Sequence, residues 1–524
     1  MADQVPRKRL AKVLIANRGE IAVRILRGLH EMGIAGAAVY SQADRRSLHV
    51  LLADEAYPIG PAPSRESYLK AEALVDLAVE IGADGIHPGY GFLSENASFA
   101  RLCRDAGVTF IGPSPAAIAA MGSKVESRRL MMAAGVPVVP GGKDPLPDLE
   151  SAAAAAETIG YPVMLKAASG GGGKGMRMIP HAAELASSYR AARSEAAASF
   201  GDDSVYLEKL IENPRHVEIQ VLGDLHGRVV SLGERECSVQ RRHQKVVEEA
   251  PSIAVTPDLR RRMGEAAVAA AQAVGYSNAG TVEFLLAQDG SFYFLEMNTR
   301  LQVEHPVTEL VTGIDLVRAQ VRIAEGEPLG AEVDDIGDKG PNGHAIEVRL
   351  YAEDPWNRFT PSPGRIERLR LPEGPGVRND FGVYEGSAVT IHYDPMLGKL
   401  IVWAADRERA LARLARALSE LRIEGIRTNI SLFEALLADS DFRSGNLDIG
   451  MLDRKLAAGD LQPPKATRLD DLPLLAAALA HFERSERSRP AAPGEAGAEA
   501  SRRSRWGDVA RREAISGGVG AAWK

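Results

Sequence analysis

The stretch Thr281-Val-Glu-Phe-Leu-Leu-Ala-Gln-Asp-Gly-Ser-Phe-Tyr-Phe-Leu-Glu-Met-Asn298 sets two apolar runs around Asp289-Gly290, a strong two-residue hairpin signal. In that register Glu283 faces Glu296, and Leu285 faces Phe294 on the same side of the sheet. Directly opposed carboxylates repel unless a cation lies between them, and hard oxygen ligands suit Mg²⁺ or Mn²⁺. A metal that holds nucleotide phosphates is the natural occupant. The polar face then continues in steps of two through Asn298, Arg300, Gln302 and Glu304. Such alternation is commonly just the wet side of a strand. Here it starts at the paired carboxylates and mixes amide, guanidinium and carboxylate, which predicts a channel for a polar substrate beside the metal.

Ser169-Gly-Gly-Gly-Gly-Lys-Gly175 is a second signal, because successive glycines cost backbone entropy unless the chain must come close to a ligand. It is not a Walker A loop: the glycine spacing is wrong and Gly175 stands where Ser or Thr is needed. It lies between two apparent strands, Pro162 to Lys166 and Met176 to Ile179, so a flexible hairpin is the bland reading. Lys166 and Lys174 favour a flap over phosphates. A third stretch, Glu234 to Lys245, gathers Arg235, Arg241, Arg242, His243 and Lys245, enough cations for several anionic oxygens, although a charge run is usually a solvated face. His216 and His243 have no helical partner four residues away and no neighbouring cysteine, which argues for hydrogen bonding rather than zinc. No GxSxG elbow or activated cysteine is present.

These residues need elements to hold them. Val13 to Asn17 reads as a buried strand, followed by a helix over 21–29 and by further short apolar runs ending in Gly or Pro, so the first ~120 residues predict an open, Rossmann-like parallel α/β domain without GxGxxG. A helix from Lys124 to Ala134 leads through Val136-Pro-Val-Val-Pro-Gly-Gly142 into an α+β domain extending to about residue 330. Polar residues 326–342 precede a strand-rich third domain with helices at 407–421 and 429–438. Beyond residue 455 one helix is expected near 470–484, then a linker-like Ser/Arg/Ala/Pro stretch.

The bulk properties narrow the classes. The 524 residues carry 63 Lys plus Arg against 70 Asp plus Glu, a net charge of −7, which argues against nucleic acid or an anionic membrane as partner. Two cysteines, Cys103 and Cys237, cannot make a disulfide framework and suit a reducing cytoplasm. The apolar run Val13 to Ala16 is too short for a signal sequence or a membrane span.

Taken together, Ile15-Ala-Asn-Arg-Gly-Glu-Ile21, His87-Pro-Gly-Tyr-Gly-Phe-Leu-Ser-Glu-Asn96, Glu208-Lys209, Gln240-Arg-Arg-His-Gln-Lys-Val-Val-Glu-Glu-Ala-Pro251 and Glu296-Met-Asn-Thr-Arg-Leu-Gln-Val-Glu-His-Pro306 closely resemble the biotin carboxylases, over roughly residues 8–455. The resemblance implies an N-terminal biotin carboxylase domain over 8–123, an ATP-grasp domain over 124–330 with its flap at about 139–211, a C-terminal biotin carboxylase α+β domain over 343–454, and a helical or disordered extension over 455–524. It places Lys124, Lys166, Gly172, Gly173, Glu208, Lys209, Leu210, Ile211, His216 and His243 around ATP. Glu283, Glu296 and Asn298 would hold Mg²⁺ or Mn²⁺, with both glutamates also meeting the nucleotide. Lys245, Arg300, Gln302, Val303 and Arg349 would take bicarbonate, Glu304 would be its general base, and Arg349 with Tyr90 would meet biotin.

The implied reaction is an ATP-dependent carboxylation of biotin through carboxyphosphate, the first half-reaction of acetyl-CoA or another acyl-CoA carboxylase, or alternatively of a two-subunit pyruvate carboxylase. No Ala-Met-Lys-Met biotinylation motif occurs, so the biotin would arrive on a separate carboxyl carrier protein, with carboxyltransferase subunits as further partners. A homodimer is implied, with Pro375 where the bacterial form has an interface aromatic. The tail around Arg505-Trp506-Gly507 and Arg511 to Ala514 resembles the start of the linker domain in longer α subunits. The competing expectations are another ATP-grasp ligase, disfavoured by Arg300 to Glu304 followed by Arg349, and a silent nucleotide-binding scaffold.

Overall fold

The computed structural model describes residues 7–142, 145–167, 176–200, 202–333, 340–463 and 472–487. The Gly-rich flap residues, Gly172 and Gly173 among them, and the tail motifs at 505–514 lie outside the described residues.

The N-terminal region forms a five-stranded, wholly parallel sheet in the order Glu55–Gly60, Ala35–Ser41, Lys12–Ile15, Gly85–His87, Thr109–Phe110. Parallel neighbours need crossover connections, supplied by helices such as Gly19–Glu31, Ala71–Glu80 and Ala97–Asp105. The expected strand and helix at the start of the chain are both present, each within two residues of the expected limits. Ile21, Ile25, Leu26 and Leu29 turn inward from the first helix onto Leu10, Val13 and Ile15, which is why this segment is helical with a single apolar stripe.

A three-stranded antiparallel sheet follows, with Val163–Ala167 between Met176–Ile179 and Val205–Lys209. Its register pairs Val163 with Ile179 and Lys166 with Met176, so the two strands that bracket the glycines do form a hairpin.

The larger sheet has eight antiparallel strands in the order Phe292–Asn298, Asn278–Leu286, Arg215–Gly223, Val229–Arg241, Gln244–Ala250, His344–Tyr351, Met396–Ala404, Val377–Phe381. It crosses the boundary drawn from sequence between the second and third domains, because Val247 to Ala250 pair directly with Val348 to Ala345. Hydrogen bonding between chain segments about a hundred residues apart overrides the composition break at 326–342.

The strand Arg215–Gly223 shows how this sheet positions a site. His216, Glu218 and Gln220 alternate with Val217, Ile219 and Val221, and the apolar set packs against Leu259, Met263, Ala267 and Ala270 of the helix Pro257–Ala273. Each valine or isoleucine fully buried there contributes roughly 1.5–3 kcal/mol, enough to fix the strand's facing and commit its polar set to the other side. Helix Leu472–Arg487 belongs to a separate unit and carries exposed Leu475 and Leu479 one turn apart. No described helix is long and apolar enough to cross a membrane.

Candidate functional site

Neighbouring strands of the large sheet place charged residues in a row. Glu296 pairs with Glu283, Glu283 with Glu218, and Glu218 with Arg235. The Glu283–Glu296 pair is as expected, but the route to it differs. Asp289-Gly290 is not a two-residue turn: Gly290 adopts a left-handed φ of +82°, Ala287 N donates to Ser291 O at 2.8 Å, and the loop takes in one more residue. Near the turn the register therefore slips by one, pairing Leu285 with Tyr293 and Phe284 with Phe294 instead of Leu285 with Phe294. Leu295 then bulges out of the second strand and restores the register just before Glu296.

The expected polar strand also stops early. It ends at Asn298, and Arg300 to Glu304 run as irregular chain into the helix His305–Thr312. Arg300, Gln302 and Val303 nevertheless line the same cleft, of about 730 Å³, as Glu283, Glu296 and Arg349. Side-chain bonds, not strand alternation, hold them there. Arg300 donates to Glu95 at 2.9 Å and to Asn298 Oδ1 at 3.1 Å, and Gln302 donates to Glu283 Oε1 at 3.0 Å.

Lys245 is the hub. Its ammonium donates to Glu218 Oε2 at 2.5 Å, Glu304 Oε1 at 2.6 Å and Glu283 Oε1 at 2.8 Å. Burial opposes its charge, but the three carboxylates outweigh burial and raise its pKa well above the ordinary value. Glu304 has no solvent exposure and also accepts from Arg349 Nη2 at 2.9 Å. Burial pushes Glu304 upward, yet Lys245 and Arg349 hold it well below the usual carboxylate range. Glu283 behaves alike, with Lys245 and His216 overcoming burial. Glu296, by contrast, is raised by desolvation and by the negative charge of Glu283 across the hairpin.

Two carboxylates facing one another, one of them raised by its neighbour, fit a divalent cation. Glu283 meets donors from Lys245, Asn298 and Gln302 on Oε1, with His216 Nε2 3.0 Å from Oε2, so a cation there would have to exchange with some of them. His216 also comes within reach of Glu218 and Glu283 as a potential three-ligand cluster. Gln240 donates to His216 Nδ1 at 2.9 Å, which leaves Nε2 to face Glu283.

The remaining candidates divide. Lys124, Lys166, Glu208 and His243 line the cleft, and Glu208 is gripped by Lys166 and by Arg128 at 2.7 Å. Lys209 points elsewhere, its ammonium donating to the carbonyls of Gly160 and Tyr161 at 2.9 and 3.0 Å, while Leu210 N donates to Pro162 O. Leu210 and Ile211 follow that strand and, like Lys209, are not part of the cleft wall. Tyr90 packs against the N-terminal core, with Lys399 Nζ 5.9 Å from its ring centre, and Lys399 in turn donates to Val303 O at 2.8 Å. The basic stretch 234–245 also splits. Arg235 is fully buried and hydrogen-bonded to Glu218, Gln220, Thr281 and Thr308, Arg241 stacks over Phe359, and of the cations in the stretch His243 and Lys245 line the cleft. Arg242 and His243 take positive φ in the hairpin, which turns the histidine toward the cleft.

Sequence reasoning missed Glu95, Arg128, Glu218 and Glu248. For Glu218 the signal was present, since His216, Glu218 and Gln220 alternate with three aliphatics. The others are long-range partners with no local pattern.

Comparison with known proteins bears on this geometry. Residues 9–118 match the family described as biotin carboxylase, N-terminal domain, 123–332 the carbamoyl-phosphate synthase L chain ATP-binding domain, and 347–454 the biotin carboxylase C-terminal domain. Biotin carboxylase 2 of Bacillus subtilis is 53% identical over 445 residues, covering 85% of this chain and 99% of that one. A pyruvate carboxylase subunit of Methanothermobacter thermautotrophicus is 50% identical over 461 residues, covering 88% and 93%. The biotin carboxylase domain dimer of Hydrogenobacter thermophilus 2-oxoglutarate carboxylase, solved with MgADP, ADP and bicarbonate, superposes with a TM-score of 0.79 at 49% identity, covering 86% and 98%. The three regions thus have the architecture of an ATP-dependent carboxylating ligase. The chain belongs to the biotin carboxylases.

Proposed function

We propose that this chain, a biotin carboxylase by family, uses ATP and bicarbonate to carboxylate biotin presented by a separate carrier protein, with the roles distributed over the cleft. The observation that carries the reading is the array of Lys245, Glu304 and Arg349 set beside the Glu283–Glu296 pair. Glu283, Glu296 and Asn298 would hold Mg²⁺ or Mn²⁺, which when bound disperses charge on nucleotide phosphates. Lys124, Lys166, Glu208, His216 and His243 stand where they can grip ATP, and the glycine flap would cover it.

Glu304 is clamped by two cations as it stands. Bicarbonate entering between Lys245 and Arg349 competes for both, and a carboxylate released from its cations regains basicity. Glu304 can then take the bicarbonate proton while the bicarbonate oxygen attacks the γ-phosphorus of ATP; ADP leaves and carboxyphosphate forms. Breakdown gives CO₂ and phosphate; the phosphate accepts the biotin ureido N–H proton, Arg349 stabilises the negative ureido oxygen, and the ureido nitrogen attacks CO₂ to form the N–C bond of carboxybiotin, with Gln302, Val303 and Arg300 lining the bicarbonate pocket. Tyr90 would meet biotin together with Arg349, as the family resemblance implies.

A carboxyl carrier protein and carboxyltransferase subunits complete the system, in the reducing cytoplasm that two unpaired cysteines suit. We take the acceptor as acetyl-CoA or another acyl-CoA. The likeness to a subunit named for pyruvate carboxylase favours pyruvate as second reading, and the partner chains that copurify decide between them. A homodimer is the expected assembly; the Hydrogenobacter domain is named as one.

The test is ATP hydrolysis by the purified chain with Mg²⁺ and bicarbonate, with and without biotin, following labelled bicarbonate. Biotin-stimulated turnover with label in carboxybiotin is expected. Turnover indifferent to bicarbonate and biotin would overturn the reading and point to another ATP-grasp acceptor.

A further inference from the structure

Behind Arg349 lies a buried carboxyl that the proposed reaction leaves without a task. Arg349 donates from Nε to Glu248 Oε1 at 2.6 Å, its Nη2 lies 2.5 Å from Glu248, and the same Nη2 donates forward to Glu304 Oε2 at 2.9 Å. Glu248 has no solvent exposure, and its Oε2 has no hydrogen-bond partner. On the next strand Glu347 sits directly opposite Glu248 in register, equally buried, with neither oxygen hydrogen-bonded. The two adjoin on one face of the sheet, two residues from Arg349 along its strand.

A guanidinium shared by two carboxylates is held from both sides. Glu304 alone would draw Arg349 into a closed pair and leave less of it for a substrate. Glu248 also explains the placing of a flexible side chain against the cleft wall, since fixing it from behind removes rotamer freedom before a ligand arrives. We propose that Glu248 is a positioning residue for Arg349, keeping its guanidinium presented to the biotin ureido oxygen instead of collapsed on Glu304. The inference rests on the assignment of Arg349 to the biotin half of the reaction.

The surroundings of Glu248 give this hold a pH dependence. It faces Arg349 and Glu347 from the strand His344–Tyr351, Glu304 from the loop, and Lys245 from the start of its own strand; Lys399 lies beyond Glu347. Burial raises Glu248 to about 7, with Arg349 pulling it down and Glu304 adding to the rise. Glu347 is raised well above the ordinary range, first by burial and then by Glu248, with Lys399 opposing. Glu304 stays low and Lys245 high. Above the Glu248 ionisation the carboxylate grips Arg349; below it the grip is lost.

Full-length protein with ATP, Mg²⁺ and bicarbonate is assayed for biotin-dependent turnover across about pH 6–9, where a raised carboxyl titrates, alongside slow bicarbonate-dependent ATP cleavage without biotin. Glu248→Gln keeps the size and an acceptor but not the charge. It is expected to lower the biotin-dependent rate by about 100-fold and ATP cleavage by no more than about 5-fold, and to lack the rise through about pH 7 expected of the wild type. Glu248→Asp should bring back the pH step, and Glu347→Gln should retain it; thermal melting checks that each variant folds. A wild-type rate and pH step in Glu248→Gln, or equal loss in both assays, would overturn the proposal, as would disappearance of the step in Glu347→Gln alone. An Arg349→Ala variant with undiminished biotin carboxylation removes the underlying assignment; a normal Arg349→Ala loss beside an unaffected Glu248→Gln overturns the Glu248 inference alone.

Discussion

Glu248 and Glu249 are chain neighbours on one strand, equally excluded from solvent, and their environments treat them in opposite ways. Glu248 sits behind Arg349, on the cleft side of the sheet, and shares that guanidinium with Glu304, so burial prevails and its pKa rises to about 7. Glu249 faces the rear, where Arg407 grips both its oxygens at 2.7 and 2.8 Å and His344 adds a third contact at 2.8 Å. There burial is outweighed, and Arg407 and His344 hold the carboxyl at about 2. Arg407 opens the helix Arg407–Glu420, whose apolar face packs on the rear of the sheet, so the saturated pair ties helix to sheet. Burial is the same on the two faces; the number of dedicated partners separates a clamp from a site. A group kept for substrate is left partly unsatisfied, and one kept for stability is closed off.

The comparison can be broken at its cleft side first. Glu296→Gln removes a proposed metal ligand and should reduce ATP turnover by on the order of 10²–10³-fold, as loss of one preorganised charge-stabilising group does. Wild-type turnover in that variant, measured over a range of Mg²⁺ concentration, would take the metal away from the hairpin. Arg349→Ala is expected to cost about 100-fold in biotin carboxylation and distinctly less in bicarbonate-dependent ATP cleavage. Equal losses would assign Arg349 to the first half-reaction.

The rear face should respond in stability rather than in rate. A carboxyl held at about 2 instead of 4.5 contributes about 3 kcal/mol, present in full above the unfolded value and lost as pH falls through the folded one. Glu249→Gln should therefore lower stability by about that amount near neutrality, read from denaturant unfolding, with turnover changed by less than about 3-fold at a temperature where the variant remains folded. The difference between wild type and variant should shrink below about pH 4.5, where the carboxyl protonates first in the unfolded chain, and be lost as pH falls through the folded value of about 2. A variant that loses turnover but not stability would erase the distinction between the two faces.

Much of the N-terminal sheet was legible because its signals are local: short apolar runs, helical spacing at Ile21, Ile25, Leu26 and Leu29, and glycines at the turns. The Glu283–Glu296 pair was legible too, though two offsetting departures, a longer loop and a bulge at Leu295, produced the expected facing. No strand runs through Arg300 to Glu304. Alternation in sequence cannot distinguish a strand from an irregular segment whose side chains are drawn to one side by Glu95, Glu283 and Lys245.

What the sequence by itself determined is therefore the set of chemical groups and the family they belong to, since motifs such as Glu296 to Pro306 carry residue types in fixed order. What only the tertiary structure decided is how those groups share their charges. Glu218, Glu304, Arg349 and the strand that carries Lys245 and Glu248 are brought together from four separate stretches of the chain, and whether a buried carboxyl is held low or raised depends on atoms within a few ångströms that sequence distance does not report. Electrostatic energy falls with separation in space and takes its strength from exclusion of water, and both are fixed only when the sheet closes around the cleft.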